Sequence, residues 1–227
     1  MRRALITGVA AATLITLGTA APAEAATGSQ RSNKAEVSIL HAVPNTPVDV
    51  YLNHKLVLDD FQPGTLTAPL ALKGGRYTVT ITAATATNDK NPIIGPASYY
   101  FGACRSYTVV AHLDASGAPT ATKYRNPLSR PANGKGRLIV RHDAAAPAVD
   151  VYADGKLAMR GLTNPRQSKA TVPAATYSIA VTLSGSRTPV IGPADVAVQK
   201  RQDTIVYAWG SAAQGNLTVA VQTVKTR

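Results

Sequence analysis

The chain is poor in the residues that staple, stack and carry acid chemistry. It has one cysteine, Cys104, so no internal disulfide can form. It has two Phe and one Trp, Trp209, and its only glutamates are Glu24 and Glu36. Past the amino terminus no apolar run approaches the roughly 20 residues that span a bilayer, and the tail Val224-Lys225-Thr226-Arg227 is not a hydrophobic anchor. No Gly-x-Ser-x-Gly elbow, phosphate loop or dinucleotide fingerprint is present. The four histidines show no His-x-His spacing and there is no Cys-x-x-Cys, which argues against zinc or another metal and leaves no cofactor implied.

The amino terminus does carry a signal. Met1-Arg2-Arg3 precedes an Ala-, Leu-, Ile-, Val- and Thr-rich stretch to about Ala21, and Ala23 and Ala25 then occupy the small positions of a cleavage site. Residues 1–25 are expected to be a signal peptide for the general secretory route, followed by a flexible segment at 26–32. Cleavage leaves no transmembrane segment, and Cys104 is too far from the cleavage site to carry a lipoprotein's acyl group.

The remainder repeats itself. Glu36-Val-Ser-Ile-Leu-His41 aligns with Arg137-Leu-Ile-Val-Arg-His142, and Val48-Asp-Val-Tyr51 with Val149-Asp-Val-Tyr152. Further on, Gly75-Arg-Tyr77 aligns with Ala175-Thr-Tyr177, and Ile94-Gly-Pro-Ala97 with Ile191-Gly-Pro-Ala194. The repeats are read as residues 33–127 and 133–227, with 128–132 as a Pro- and Ser-containing linker between two compact domains.

Within a repeat the apolar period is two: Val37, Ile39 and His41 alternate with Ser38 and Leu40, and Tyr77, Val79 and Ile81 with Thr78 and Thr80. Such segments are half-buried strands. Asp154-Gly155 and Asn53-His54 separate apolar runs as two-residue hairpin turns do. The fold class is therefore all-β, two tandem antiparallel β-sandwiches of immunoglobulin-like or transthyretin-like type, with about seven strands each.

The segments His41-Ala-Val-Pro-Asn-Thr-Pro-Val-Asp-Val-Tyr51, Tyr107-Thr-Val-Val-Ala-His-Leu-Asp114, Arg137-Leu-Ile-Val-Arg-His142, Ile191-Gly-Pro-Ala-Asp195 and Ile205-Val-Tyr-Ala-Trp-Gly210 resemble bacterial secreted proteins of domain of unknown function 4397. The resemblance runs over nearly all of the mature chain, as two tandem copies. It implies a secreted β fold, and it implies no activity and no catalytic residues.

The candidate site residues follow from the comparison of the copies. His41 and His142 occupy equivalent places on the apolar parity, and each is expected to end its strand half-buried, bonded to a loop backbone or a carboxylate. Asp49 and Asp150 lie on the opposite parity from their valines, toward solvent or a loop. These four are read as structural. Cys104, within Tyr99-Tyr-Phe-Gly-Ala-Cys104, is expected to be a small buried hydrophobe. It shares a strand with His112, roughly 25 Å away at the usual rise, too far for a nucleophile and its base. No catalytic set emerges, and the protein is not expected to be an enzyme.

Charge and aromatics point elsewhere. Without Arg2, Arg3 and Glu24, 22 basic residues face 11 acidic ones, and the second repeat is the more basic. Such a surface attracts polyanions. Export, scattered Lys and Arg, and scarce stacking rings disfavour nucleic acid as the partner. Trp209, Tyr99 and Tyr100 are candidate contacts, with a tryptophan plugging the end of a sandwich as the structural alternative for Trp209. The function expected is a secreted, non-catalytic cell-envelope or extracellular binding module for an anionic wall polymer, a glycan or an envelope protein. A structural spacer is the alternative, and a hydrolase using His41 or His142 a distant third.

Overall fold

Thr-, Val- and Ile-rich segments punctuated by Gly, Pro and Asn form sixteen strands and no helix in the computed structural model, which describes residues 33–227. The expected signal peptide and the segment at 26–32 lie outside the described residues. In the first repeat the strands are β1 (Lys34–Ala42), β2 (Val48–Leu52), β3 (Lys55–Phe61), β4 (Leu70–Lys73), β5 (Gly75–Ala83), β6 (Ile94–Phe101), β7 (Ser106–Leu113) and β8 (Pro119–Asn126). In the second they are β9 (Lys135–Ala145), β10 (Val149–Ala153), β11 (Lys156–Leu162), β12 (Gln167–Pro173), β13 (Ala175–Leu183), β14 (Pro189–Val198), β15 (Gln202–Ser211) and β16 (Thr218–Lys225).

Each repeat is a sandwich of two four-stranded sheets. The first stacks β4-β1-β7-β8 on β3-β2-β5-β6, and the second stacks β12-β9-β15-β16 on β11-β10-β13-β14. Each has eight strands rather than about seven, because the short β4 lies in the approach to the Gly74-Gly75 turn and resembles a loop in sequence. Lettered in chain order the sheets are DAGH and CBEF. That differs from the ABED and CFG sheets of an immunoglobulin constant domain, so the transthyretin-like alternative is the one consistent with the order. The pairing is not wholly antiparallel: β1 runs parallel to β7, Glu36 opposite Ser106 through Ala42 opposite His112, and β9 runs parallel to β15.

The repeated motifs have local causes. Asn53 and His54 have φ of 50° and 65°, and Asp154 and Gly155 of 48° and 71°, the left-handed pair that closes a tight hairpin. In Val-Asp-Val-Tyr the valines Val48 and Val50 enter the core while the aspartate serves a bulge on the neighbouring strand. There Asp60 (φ 48°) and Gly161 (φ 61°) turn their N–H groups out of the ladder, toward the Asp49 and Asp150 carboxylates.

Three apolar layers result. Ile39, Val48, Val50, Phe61 and Ile81 belong to the core of the first sandwich, and Leu138, Val140, Val149, Val151 and Val181 to that of the second. A third cluster lies between the sandwiches, where Leu40, Ala42, Val110 and Tyr124 meet Ile139, Ile205, Tyr207 and Trp209. The central strands β7 and β15 are consequently buried on both faces. Residues 33–227 fall within one compact unit.

Candidate functional site

His41 and His142 are fully buried rather than half-buried. The Nε2–H of His41 donates to the Thr46 carbonyl at 2.7 Å while its Nδ1 accepts from the Val43 N–H at 3.5 Å. His142 does the same with the Pro147 carbonyl at 3.0 Å and the Ala144 N–H at 3.3 Å. Both rings are thus neutral tautomers serving the loop after the first strand, and burial holds both below the usual imidazole value of 6.5. The unfolded chain takes up these protons more readily, so the stability tied to the neutral rings is present above pH about 6.5 and diminishes as pH falls through it. In an NMR titration the ring C2–H signals of His41 and His142 should keep neutral shifts well below pH 6.5. Midpoints at or above that value would contradict the burial account.

Asp49 and Asp150, expected toward solvent or a loop, are buried, and what faces them is loop backbone. Asp49 Oδ1 accepts the Asp60 N–H at 3.0 Å. Asp150 accepts the Gly161 N–H at 2.7 Å, the Ser184 hydroxyl at 3.0 Å and the Gly185 N–H at 3.2 Å. The bulge folds loop backbone over the outward parity, and those N–H donors hold the Asp150 carboxyl below its ordinary value.

Cys104 corrects the sequence expectation. It sits exposed in the turn between β6 and β7 with φ of 58°, because the strand ends at Phe101. Trp209 is 9% exposed and lies in the cluster between the sandwiches, over the backbone at Gly64. It offers no open ring for a sugar. Of the adjacent tyrosines, Tyr99 turns inward and donates to the Ala121 carbonyl at 2.9 Å, whereas Tyr100 is 56% exposed. His54 is exposed on the β2–β3 turn, 2.6 Å from the Asp89 carboxylate. Among the described residues no three His, Cys, Asp or Glu side chains converge as ligands of a metal would.

The structure instead concentrates polar chemistry between the sandwiches. Arg141, on β9, is fully buried and central. Its Nη1 donates to the Tyr207 hydroxyl at 2.6 Å, its Nη2 to Asn126 Oδ1 at 2.8 Å and its Nε to Gln167 Oε1 at 3.0 Å. The guanidinium carbon lies 4.3 Å from the centre of the Tyr124 ring and 5.2 Å from that of Tyr207. Tyr207 and Thr108 both donate to Gln222 Oε1, at 2.6 and 2.9 Å. Nearby, Tyr124 donates to Asp143 Oδ1 at 2.6 Å, and His112 Nε2 lies 3.8 Å from the same oxygen. Burial pushes the Asp143 carboxyl above its ordinary value. This network escaped sequence reasoning, although the signal was there: Arg141 interrupts an apolar strand at the place where the first copy has Leu40.

Two grooves flank this interface. One, of about 360 Å³, is lined by Arg105, Arg125 and Lys169 together with Cys104, Leu128 and Ile139. The other, of about 750 Å³, contains Glu36, Lys225 and Arg227, and there Arg227 pairs with Glu36 at 3.6 Å. Among the described residues no carboxylate pairs with Arg105, Arg125 or Lys169.

No curated protein matches the chain. A family model matches residues 35–152, from the start of β1 through the first sandwich and into β10, which is more than half of the sequence. The chain therefore belongs to the family described as Domain of unknown function (DUF4397).

Proposed function

We propose that the protein is an exported, non-catalytic module of the cell envelope or its surroundings that binds an anionic polymer, and that its second sandwich is a second copy of the family unit. The distribution of charge is the observation that carries this reading. In the second sandwich Asp143, Asp150 and Asp203 are buried, so Asp154 and Asp195 are its solvent-facing carboxylates. They stand against Lys156, Arg160, Arg166, Lys169, Arg187 and Lys200, all exposed. Burying carboxylates while exposing cations makes the surface more basic than the net charge of the chain, which favours acidic partners. Export rests on the charged and apolar amino-terminal segment followed by Ala23 and Ala25. The enclosed imidazoles of His41 and His142 offer a hydrolase no open base.

The purified chain should be retained on isolated envelope material at low salt. Raising the salt from about 0.05 M to about 0.5 M should release most of it as the screening length shrinks. Retention unchanged by salt would remove the electrostatic reading, and no saturable binding to any envelope fraction would favour the structural spacer.

A further inference from the structure

We propose that the groove lined by Arg105, Arg125 and Lys169 is the binding site for a base-free phosphodiester or polyphosphate chain, an inference that rests on the protein binding anionic polymers. Arg105 lies in the β6–β7 turn, Arg125 on β8 and Lys169 on β12. Both sandwiches thus contribute, and the groove exists because they are packed together. Three cations line one concavity with no carboxylate in its lining, although the buried Asp203 carboxylate acts on Lys169 from behind it, and an anion entering from solvent relieves the repulsion that remains. A further positive charge lies behind the wall, since Gln167 lines the groove and accepts from the buried Arg141. The groove on the other edge lacks this character, because Glu36 already pairs with Arg227 there.

The lining also narrows the ligand. At about 360 Å³ the groove is within the range of small-ligand clefts. It contains no aromatic side chain, so it offers nothing on which a base or a sugar ring would stack. Two guanidinium forks and a lysine point charge suit the non-bridging oxygens of successive phosphates. Ser129 and the Gln167 amide can serve neutral hydroxyls between them, and Leu128 and Ile139 supply an apolar floor.

Cys104 provides a local readout, as the chain's single thiol and a residue of the groove wall. Short-chain inorganic polyphosphate titrated into the full chain should bind saturably and slow alkylation of Cys104 by iodoacetamide about tenfold, since a bound chain covers the wall. Arg105→Glu and Lys169→Glu should each weaken binding about tenfold or more, against less than about twofold for Lys156→Glu on β11, as expected for directed rather than diffuse contacts. These are exposed positions, and unchanged melting curves verify folding. Single-stranded oligothymidine and polygalacturonate should bind more weakly than polyphosphate.

Equal losses from Lys156→Glu and Lys169→Glu, or no protection of Cys104, would overturn the groove as the site. Polygalacturonate binding as tightly, with the same protection, would overturn the phosphate assignment. In either case salt-sensitive retention on envelope material would leave the broader function standing. Loss of that retention as well would remove both.

Discussion

Arg141→Leu should destabilise the protein by about 3–5 kcal/mol, the cost of removing one member of a buried, hydrogen-bonded charged network. Leucine is the residue that the first copy carries at this place, so the change is compatible with a strand. The loss comes from the partners left behind. Asn126 Oδ1 and the Tyr207 hydroxyl would each forfeit a donor in a site closed to water, at about 1–3 kcal/mol for each group left unsatisfied, and Gln167 Oε1, at the solvent-facing end of the network, would lose its bond to Nε. The Tyr124 and Tyr207 rings would lose the guanidinium between them. Urea unfolding monitored by tryptophan fluorescence and circular dichroism is the measurement. Trp209 lies in the interface, so its fluorescence transition should move to lower urea ahead of the loss of β structure. A shift below about 1 kcal/mol, or coincident transitions, would mean that Arg141 is not what joins the sandwiches.

Gly192→Val should cost about 3 kcal/mol or more, from a left-handed backbone and an impossible contact together. Gly192 has φ of 79°, and a Cβ there would lie 2.5 Å from the Ile179 carbonyl oxygen and 3.0 Å from the Ala194 nitrogen. Both obstacles are backbone and cannot swing aside. Gly95 has the same geometry in the first sandwich, with φ of 88° and 2.6 Å to the Val79 carbonyl oxygen, so Gly95→Val should behave alike. Gly155 separates the two causes: its φ is 71° but nothing lies within 4 Å of its added Cβ. Gly155→Ala should therefore cost only the conformational part, about 1–2 kcal/mol. Thermal melting of the three variants tests the ranking, and Gly192→Val melting like Gly155→Ala would refute the steric account.

The architecture was legible because the repeated residues are the ones local geometry demands. Val-Asp-Val-Tyr marks a strand beside a bulge, Ile-Gly-Pro-Ala a position that only glycine fills, and Asp154-Gly155 a tight hairpin. Pattern of this kind fixes strands and turns but carries less about what covers a sheet. Alternation sends Asp49 and Asp150 to the outward face, toward solvent or a loop, and the bulge that folds over them decides between the two. Cys104 was placed in a strand because two small residues before it, Gly102 and Ala103, mask the turn.

The interface was harder to see, since its residues are those in which the copies differ. Register sets Leu40 against Arg141, Ala42 against Asp143, Val110 against Tyr207 and His112 against Trp209. A residue present in only one copy invites a functional reading, and Trp209 received one. Its physical role is to fill space against the smaller side chains of the other sandwich. The sequence signal lay in Thr108-Val-Val-Ala111 and Ile205-Val-Tyr-Ala-Trp209, whose nearly continuous apolar runs are typical of strands covered on both faces.

That exchange of large for small bears on which faces pack well against each other. Two first sandwiches placed face to face would oppose Leu40, Ala42 and Val110 to their own copies and leave voids. Two second sandwiches would crowd tyrosine and tryptophan and bring two buried guanidinium groups together. The unlike pair sets large side chains against small ones, and residues 127–134 join the two within the same polypeptide. Such a tether supplies an effective concentration on the order of millimolar, so a contact containing buried charge can stay closed even where its intrinsic affinity is modest.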